Sequence, residues 1–136
     1  MDAIAPLLTG LSAFSLYFLI SLVALLLFKV VYTLFTPHDE WALVKEKNVA
    51  AGCALSGAII GFAIALGSAA SNSVSLIDFA VWAVVALLAQ LVAYLIVRLF
   101  MPKISQRIEA DELPAGLVLG ATSIAIGIIN AASMTY

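Results

Sequence analysis

Four apolar stretches, each long enough to cross a lipid bilayer, constrain this chain more than any other feature. They occupy residues 11–35, 49–70, 79–101 and 113–134. The first carries only three serines, Lys29 and Thr33 among its apolar residues, and the second carries no charge at all. At about 1.5 Å per helical residue, each run matches or exceeds the roughly 30 Å hydrocarbon core of a membrane. The rest of the composition agrees: of 136 residues, 65% are hydrophobic and 10% charged, and the mean hydropathy is +1.19. A soluble domain of this size needs far more polar surface to coat its core. The predicted fold is an all-α membrane protein with four transmembrane helices in a single membrane domain, residues 1–136. The first run is too long for a signal-peptide core and no basic segment precedes it, so it is expected to be retained.

The charges predict an orientation. All six cations flank two connections: Lys29, Lys45 and Lys47 the first, Arg98, Lys103 and Arg107 the second. Since Lys and Arg accumulate in short cytoplasmic loops, both termini are expected on the outer, periplasmic side of a bacterial inner membrane. Six cations against eight acids, with a pI near 5.1, exclude a nucleic-acid partner, which requires a basic patch. Thr36-Pro37-His38-Asp39 predicts a helix from Pro37 to about Lys47 along the inner surface, capped by Thr36 and anchored by Trp41 and Val44. Residues 103–112 are expected to form a second such segment around Ile104 and Ile108.

The two halves resemble copies. Leu34-Phe35-Thr36-Pro37 parallels Leu99-Phe100-Met101-Pro102, Ala51-Gly52 parallels Ala115-Gly116, and Ala69-Ala70-Ser71 parallels Ala131-Ala132-Ser133. The implied units, about 11–72 and 79–136, each hold a bulky helix, a surface segment and a small-residue helix, related by an axis along the membrane normal. Small residues let helix backbones approach closely in lipid, where no hydrophobic force drives association. Gly52, Ser56, Gly57 and Gly61 in the second helix, and Gly116, Gly120 and Gly127 in the fourth, are therefore the expected packing positions. They place these two helices inside, with the same stripes equally able to join subunits.

Polar residues in the runs are few and each has a structural use. Gln90, near the middle of the third helix, must find partners inside the protein and serves as interhelical glue or as a site on a permeation path. Ser123, Asn72 and Asn130 are secondary candidates for such a path. Asp78 follows Ser75 by three and reads as a capping box, with a cation site at the outer mouth as the alternative. Lys29 and Arg98 are expected to snorkel to the headgroups as interfacial anchors alongside Trp41, or to pair with nearby acids or an anionic lipid. His38-Asp39-Glu40 holds the single histidine, but consecutive residues of a helix diverge, so no metal site is expected there. There is no Gly-rich phosphate loop and no acid pair at mid-depth. No cofactor, no catalytic residue and no enzymatic activity are expected.

Thr36-Pro37-His38-Asp39-Glu40-Trp41, Asn48, Ala50-Ala51, Ser56-Gly57, Ser68-Ala69-Ala70, Asp78, Trp82, Gln90-Leu91, Arg98, Met101-Pro102 and Asn130-Ala131-Ala132 together resemble the YjfL family of bacterial inner-membrane proteins over nearly the whole chain. The resemblance implies a small protein of four crossings, in a family that often contains a duplicated two-helix unit and of which some members are encoded beside membrane-stress and ATP-grasp ligase-like genes. It supplies no catalytic residues. Two functions are consistent with these features. The first is a non-enzymatic module that self-associates as a homo-oligomer among membrane lipids and engages other membrane or cytoplasmic proteins. The alternative is an oligomeric channel or passive pathway for a small solute or ion.

Overall fold

The computed structural model describes residues 3–134, and every regular element among them is an α-helix. The order is α1 (Ile4–Phe35), α2 (Glu40–Lys45), α3 (Val49–Asn72), α4 (Leu76–Phe100), α5 (Ile104–Glu109) and α6 (Leu113–Ser133). Four of the six, α1, α3, α4 and α6, are long and apolar enough to cross a membrane. α1 begins seven residues before the expected start at residue 11. Pro6 falls in its first turn, where no backbone N–H is required, and Thr9 satisfies its hydroxyl by donating to the Ala5 carbonyl at 3.0 Å.

The centre of the protein is the α3–α6 pair, where backbones touch. A Cβ added to Gly57 would fall onto the Gly120 backbone, one on Gly61 onto the Ser123 carbonyl, one on Gly116 onto Ala50, and one on Gly127 onto Gly61. The small residues are thus used inside one chain, and they let two helices approach until only glycine fits. Gly52 and Ser56 lie elsewhere: nothing comes within 4 Å of a Cβ on Gly52, and Ser56 is exposed. Two GxxxG-like patterns on one helix therefore point about a third of a turn apart, and only the Gly57/Gly61 face meets α6.

α4 packs against this pair through the buried Phe79, Ala86, Gln90, Ala93, Tyr94 and Val97. α1 is peripheral, and of its 32 residues only Phe28 and Tyr32 are buried. Ring contacts attach it: Phe28 stacks on Phe62 at 4.5 Å between centroids, and Tyr17 meets Phe79 at 5.3 Å.

The short helices lie at one end, hereafter the basic end, and the first differs from expectation. α2 runs over Glu40–Lys45 with Asp39 as N-cap, its carboxylate accepting from Ala42 N at 3.2 Å. Thr36 instead closes α1, with its hydroxyl within reach of the Tyr32 carbonyl at 3.0 Å and the His38 carbonyl at 3.1 Å. The reason is Pro37, which disfavours helical geometry in the residue before it, so residues 36–39 form an irregular link. Two residues after each of α2 and α5 stands a residue of positive φ, Lys47 at 66° and Asp111 at 59°.

The link after α2 ties the two halves together. Asn48 caps α3 by accepting from Ala51 N at 2.8 Å while its amide donates to the Ile108 carbonyl at 2.8 Å, and Asp111 accepts from Ala50 N at 3.0 Å. Asn48→Ala removes a cap and a long-range hydrogen bond from a buried position. It is expected to cost about 2 kcal/mol, read as a lower midpoint of thermal unfolding in detergent.

Candidate functional site: a buried polar file

Residues 36–39 bend between α1 and α2. His38 in that link and Glu40 at the start of α2 both turn inward, 1% and 0% exposed. His38 Nε2 lies 2.7 Å from Glu40 Oε1, and His38 Nδ1 lies 2.8 Å from the Ser105 hydroxyl of α5. Ser105 is in turn 2.8 Å from the Tyr94 hydroxyl of α4. Glu40, His38, Ser105 and Tyr94 therefore form one unbranched chain of hydrogen bonds, with members from both halves of the protein.

Beyond Glu40 the polar groups continue into the bundle. Glu40 Oε2 and Gln90 Oε1 are buried without a hydrogen-bond partner, and the buried hydroxyls of Tyr32 and Ser123 have none other than each other. Tyr32 is also within electrostatic reach of Glu40 and Tyr94. Gln90 donates its amide to the Ser123 carbonyl at 3.1 Å, which joins α4 to α6. Tyr32 sits in the last turn of α1, whereas Gln90 and Ser123 are each ten residues, about 15 Å, from the basic ends of their helices. Buried polar atoms are normally paired, and each one left unpaired costs about 1–3 kcal/mol. These buried polar groups lie between the basic end and the middle of the bundle.

Burial pushes the Glu40 carboxyl above its usual range, opposed by its hydrogen bond to His38 and the charge there. Beside the chain opens a pocket of about 330 Å³, lined by Tyr94 and Ser105 and flanked by Arg98, Lys103 and Glu109. One end of the hydrogen-bonded chain thus borders a pocket with charged walls.

The other candidate residues serve local ends. Asp78 is the first-turn acid of α4, where Ser75 Oγ accepts from its N–H at 3.1 Å, and its two carboxylate oxygens accept from Val74 N and Trp82 Nε1, each at 3.1 Å. Asn72, the last residue of α3, donates to the Ser68 carbonyl at 2.8 Å. Asn130 lies two turns beyond Ser123 on the same face of α6, with its amide nitrogen buried and unpartnered. Lys29 Nζ stands 5.2 Å over the ring of Trp41, a cation–π contact that fastens α2 to α1. Arg98 reaches the pocket. Among the described residues no three metal-ligating side chains converge.

The sequence gives Ser105 no role, and on a helix over 37–47 His38 and Glu40 would diverge. The signal is Pro37, which interrupts the helix before α2 and lets the single histidine and an acid two residues on turn inward together.

Comparison with known proteins agrees with this architecture. Residues 6–134 match the family described as Domain of Unknown Function (DUF350). The chain is 43% identical over 129 residues to the UPF0719 inner membrane protein YjfL of Escherichia coli strain K12, covering 95% of this chain and 98% of that relative. The same figures hold for YjfL of Escherichia coli O157:H7. No solved structure matches. With four membrane-spanning helices, a family match over nearly its whole length and a close inner-membrane relative, the chain is a multi-pass inner-membrane protein and belongs to the DUF350 family.

Proposed function

We propose that the protein is a non-enzymatic membrane module that provides a passive pathway for a small polar species, entered from the basic end. The observation that carries this reading is the set of buried polar side chains on Glu40, Tyr32, Ser123 and Gln90, of which Glu40 Oε2 and Gln90 Oε1 have no partner. A tightly packed membrane core has no structural need for them, and intramembrane polar groups mark pathways more often than ornament. Asn130 extends the same face of α6 toward the far end. Gln90→Leu fills the mid-membrane position with hydrocarbon and is expected to lower passive flux into proteoliposomes about tenfold, the equivalent of one lost polar stabilisation. Flux unchanged from that of the native protein would remove Gln90 from the path.

A self-associating module is a second reading, favoured by a different observation. Since Gly57, Gly61, Gly120 and Gly127 are taken up within the chain, association falls to the outer face of α3. There Gly52, Ser56, Ala63 and Gly67 lie along one side, and nothing comes within 4 Å of a Cβ on Gly52 or Gly67. A second copy, or another membrane protein of the same system, fits such a face by close backbone approach. Native mass spectrometry of the protein released from its own membranes reads the subunit number and any companion. A strict monomer without companion counts against this reading.

The positive-inside rule supports an orientation in which the basic end, with Lys45, Lys47, Lys103 and Arg107, faces the cytoplasm. Duplication of an ancestral two-helix unit is supported by the recurring long–short–long order and by the left-handed residues Lys47 and Asp111, 64 apart, after the two short helices.

A further inference from the structure

We infer that Glu40 is a proton-binding site loaded from the pocket at the basic end through Tyr94, Ser105 and His38, which makes the proton the species the pathway accepts. The inference rests on the pathway reading and adds to it the identity of the permeant and its point of entry.

The argument begins with the chain itself. Its three links, 2.8, 2.8 and 2.7 Å, are all short, and each member both donates and accepts. Two arrangements satisfy every link. With Glu40 ionised, Nε2–H of His38 donates to Oε1, Nδ1 accepts from the Ser105 hydroxyl, and Ser105 accepts from Tyr94. With Glu40 protonated, its O–H donates to Nε2, Nδ1–H donates to Ser105, Ser105 donates to Tyr94, and the Tyr94 O–H turns to the pocket. Passage between them takes one proton from the pocket onto Tyr94 Oη. The Tyr94 proton moves to Ser105, the Ser105 proton to Nδ1, and the Nε2 proton to Oε1. No heavy atom is displaced, the imidazole stays neutral at both ends of the step, and one proton is added to Glu40.

The surroundings fit this use. Glu40 faces His38 on its own link, Tyr32 of α1 and, across the chain, Tyr94 of α4, while α3 and α6 hold no ionisable residue other than Cys53. His38 is the basic side chain that opposes neutralisation of the carboxylate, and burial, the larger effect, favours its neutral form. Arg98, Lys103 and Glu109 at the pocket keep the entrance hydrated. On the inner side Oε2 is free of any protein partner and Tyr32 stands within its electrostatic reach, so a proton on Glu40 has an onward acceptor. A metal cation fits less well, because the four members of the chain are bound to one another in a way that leaves no convergent oxygen cage.

Infrared difference spectroscopy of the full-length protein in lipid, on transfer to deuterated buffer and across a pH titration, tests the site directly. The expected result is a protonated-carboxyl band that titrates, is absent in Glu40→Gln, and exchanges its proton roughly a hundredfold more slowly in Ser105→Ala and Tyr94→Phe, the scale of losing a positioned proton-transfer group. Exchange as fast in both variants as in the native protein overturns the relay, and absence of any titrating band lost in Glu40→Gln overturns the site. Proteoliposome flux separates the two levels. Proton uptake that falls in Glu40→Gln while potassium is excluded supports the inference. Potassium conducted as readily as protons overturns it and leaves the pathway standing. No flux of any kind, with the spectroscopic relay intact, overturns the pathway and leaves the proton site.

Discussion

Gly120→Leu is expected to be among the most damaging single substitutions in the membrane-spanning core, costing about 3 kcal/mol or more. A Cβ at this position already meets the Cys53 carbonyl at 2.5 Å, and the obstacle is backbone, which cannot rotate away. The larger side chain must push α6 off α3 along its length, undoing the contacts of Gly57, Gly116 and Gly127 as well. The control is Gly52→Leu on the same α3, where the space is open. It is expected to leave stability within about 0.5 kcal/mol, as surface substitutions do. Unfolding of both variants in a denaturing detergent mixture checks the pair. Equal losses would mean that helix composition, and not the α3–α6 contact, governs stability.

His38→Ala is the second large effect, and its size depends on pH. Where Glu40 is ionised, removal of His38 leaves a buried carboxylate without its partner, which costs about 3–5 kcal/mol. Adding Glu40→Gln to that variant removes the charge and is expected to restore most of the loss, so the two substitutions are strongly non-additive. The sign of the pH dependence follows from the raised Glu40 value. A carboxyl whose folded pKa lies above its unfolded value binds its proton more tightly when folded. Its contribution is fully present below the ordinary value of 4.5 and is lost as pH rises through the folded value. Native stability should therefore fall over that interval, and Glu40→Gln should flatten the slope. A slope that persists in Glu40→Gln assigns the titration to another group.

Much of this fold was legible because hydrocarbon imposes one-dimensional rules. Every backbone polar group must be paired inside its own segment, so an apolar run of sufficient length is a helix, and its ends follow from caps and charges. Ser75 and Asp78 capped α4 as their spacing suggested, and small residues placed α3 and α6 inside. Boundaries moved where polar residues found local partners, as at Thr9 in α1. The surface helix is shorter than a start at Pro37 implies, because residues 36–39 form an irregular link and α2 begins only at Glu40.

The candidate site was much less legible, because its members are distant in the chain and unremarkable in isolation. Ser105 is an ordinary serine on a short helix until α5 folds beneath the link from α1, and Tyr94 reads as an interfacial aromatic until its hydroxyl meets Ser105. Gln90 was visible as the one amide at mid-depth, but the sequence could not place the Ser123 carbonyl beside it.

What the sequence determined by itself was the solvent, the number of crossings and the pair of helices that could approach closely, since each depends on the content of a single segment. Tertiary structure alone decided which glycine face met which helix, that the stripes were consumed within one chain, and that Glu40, His38, Ser105 and Tyr94 came together. Those outcomes depend on rotation about helix axes and on the path of two short links, and a rotation of about a third of a turn exchanges Gly57 for Gly52 with no change in composition.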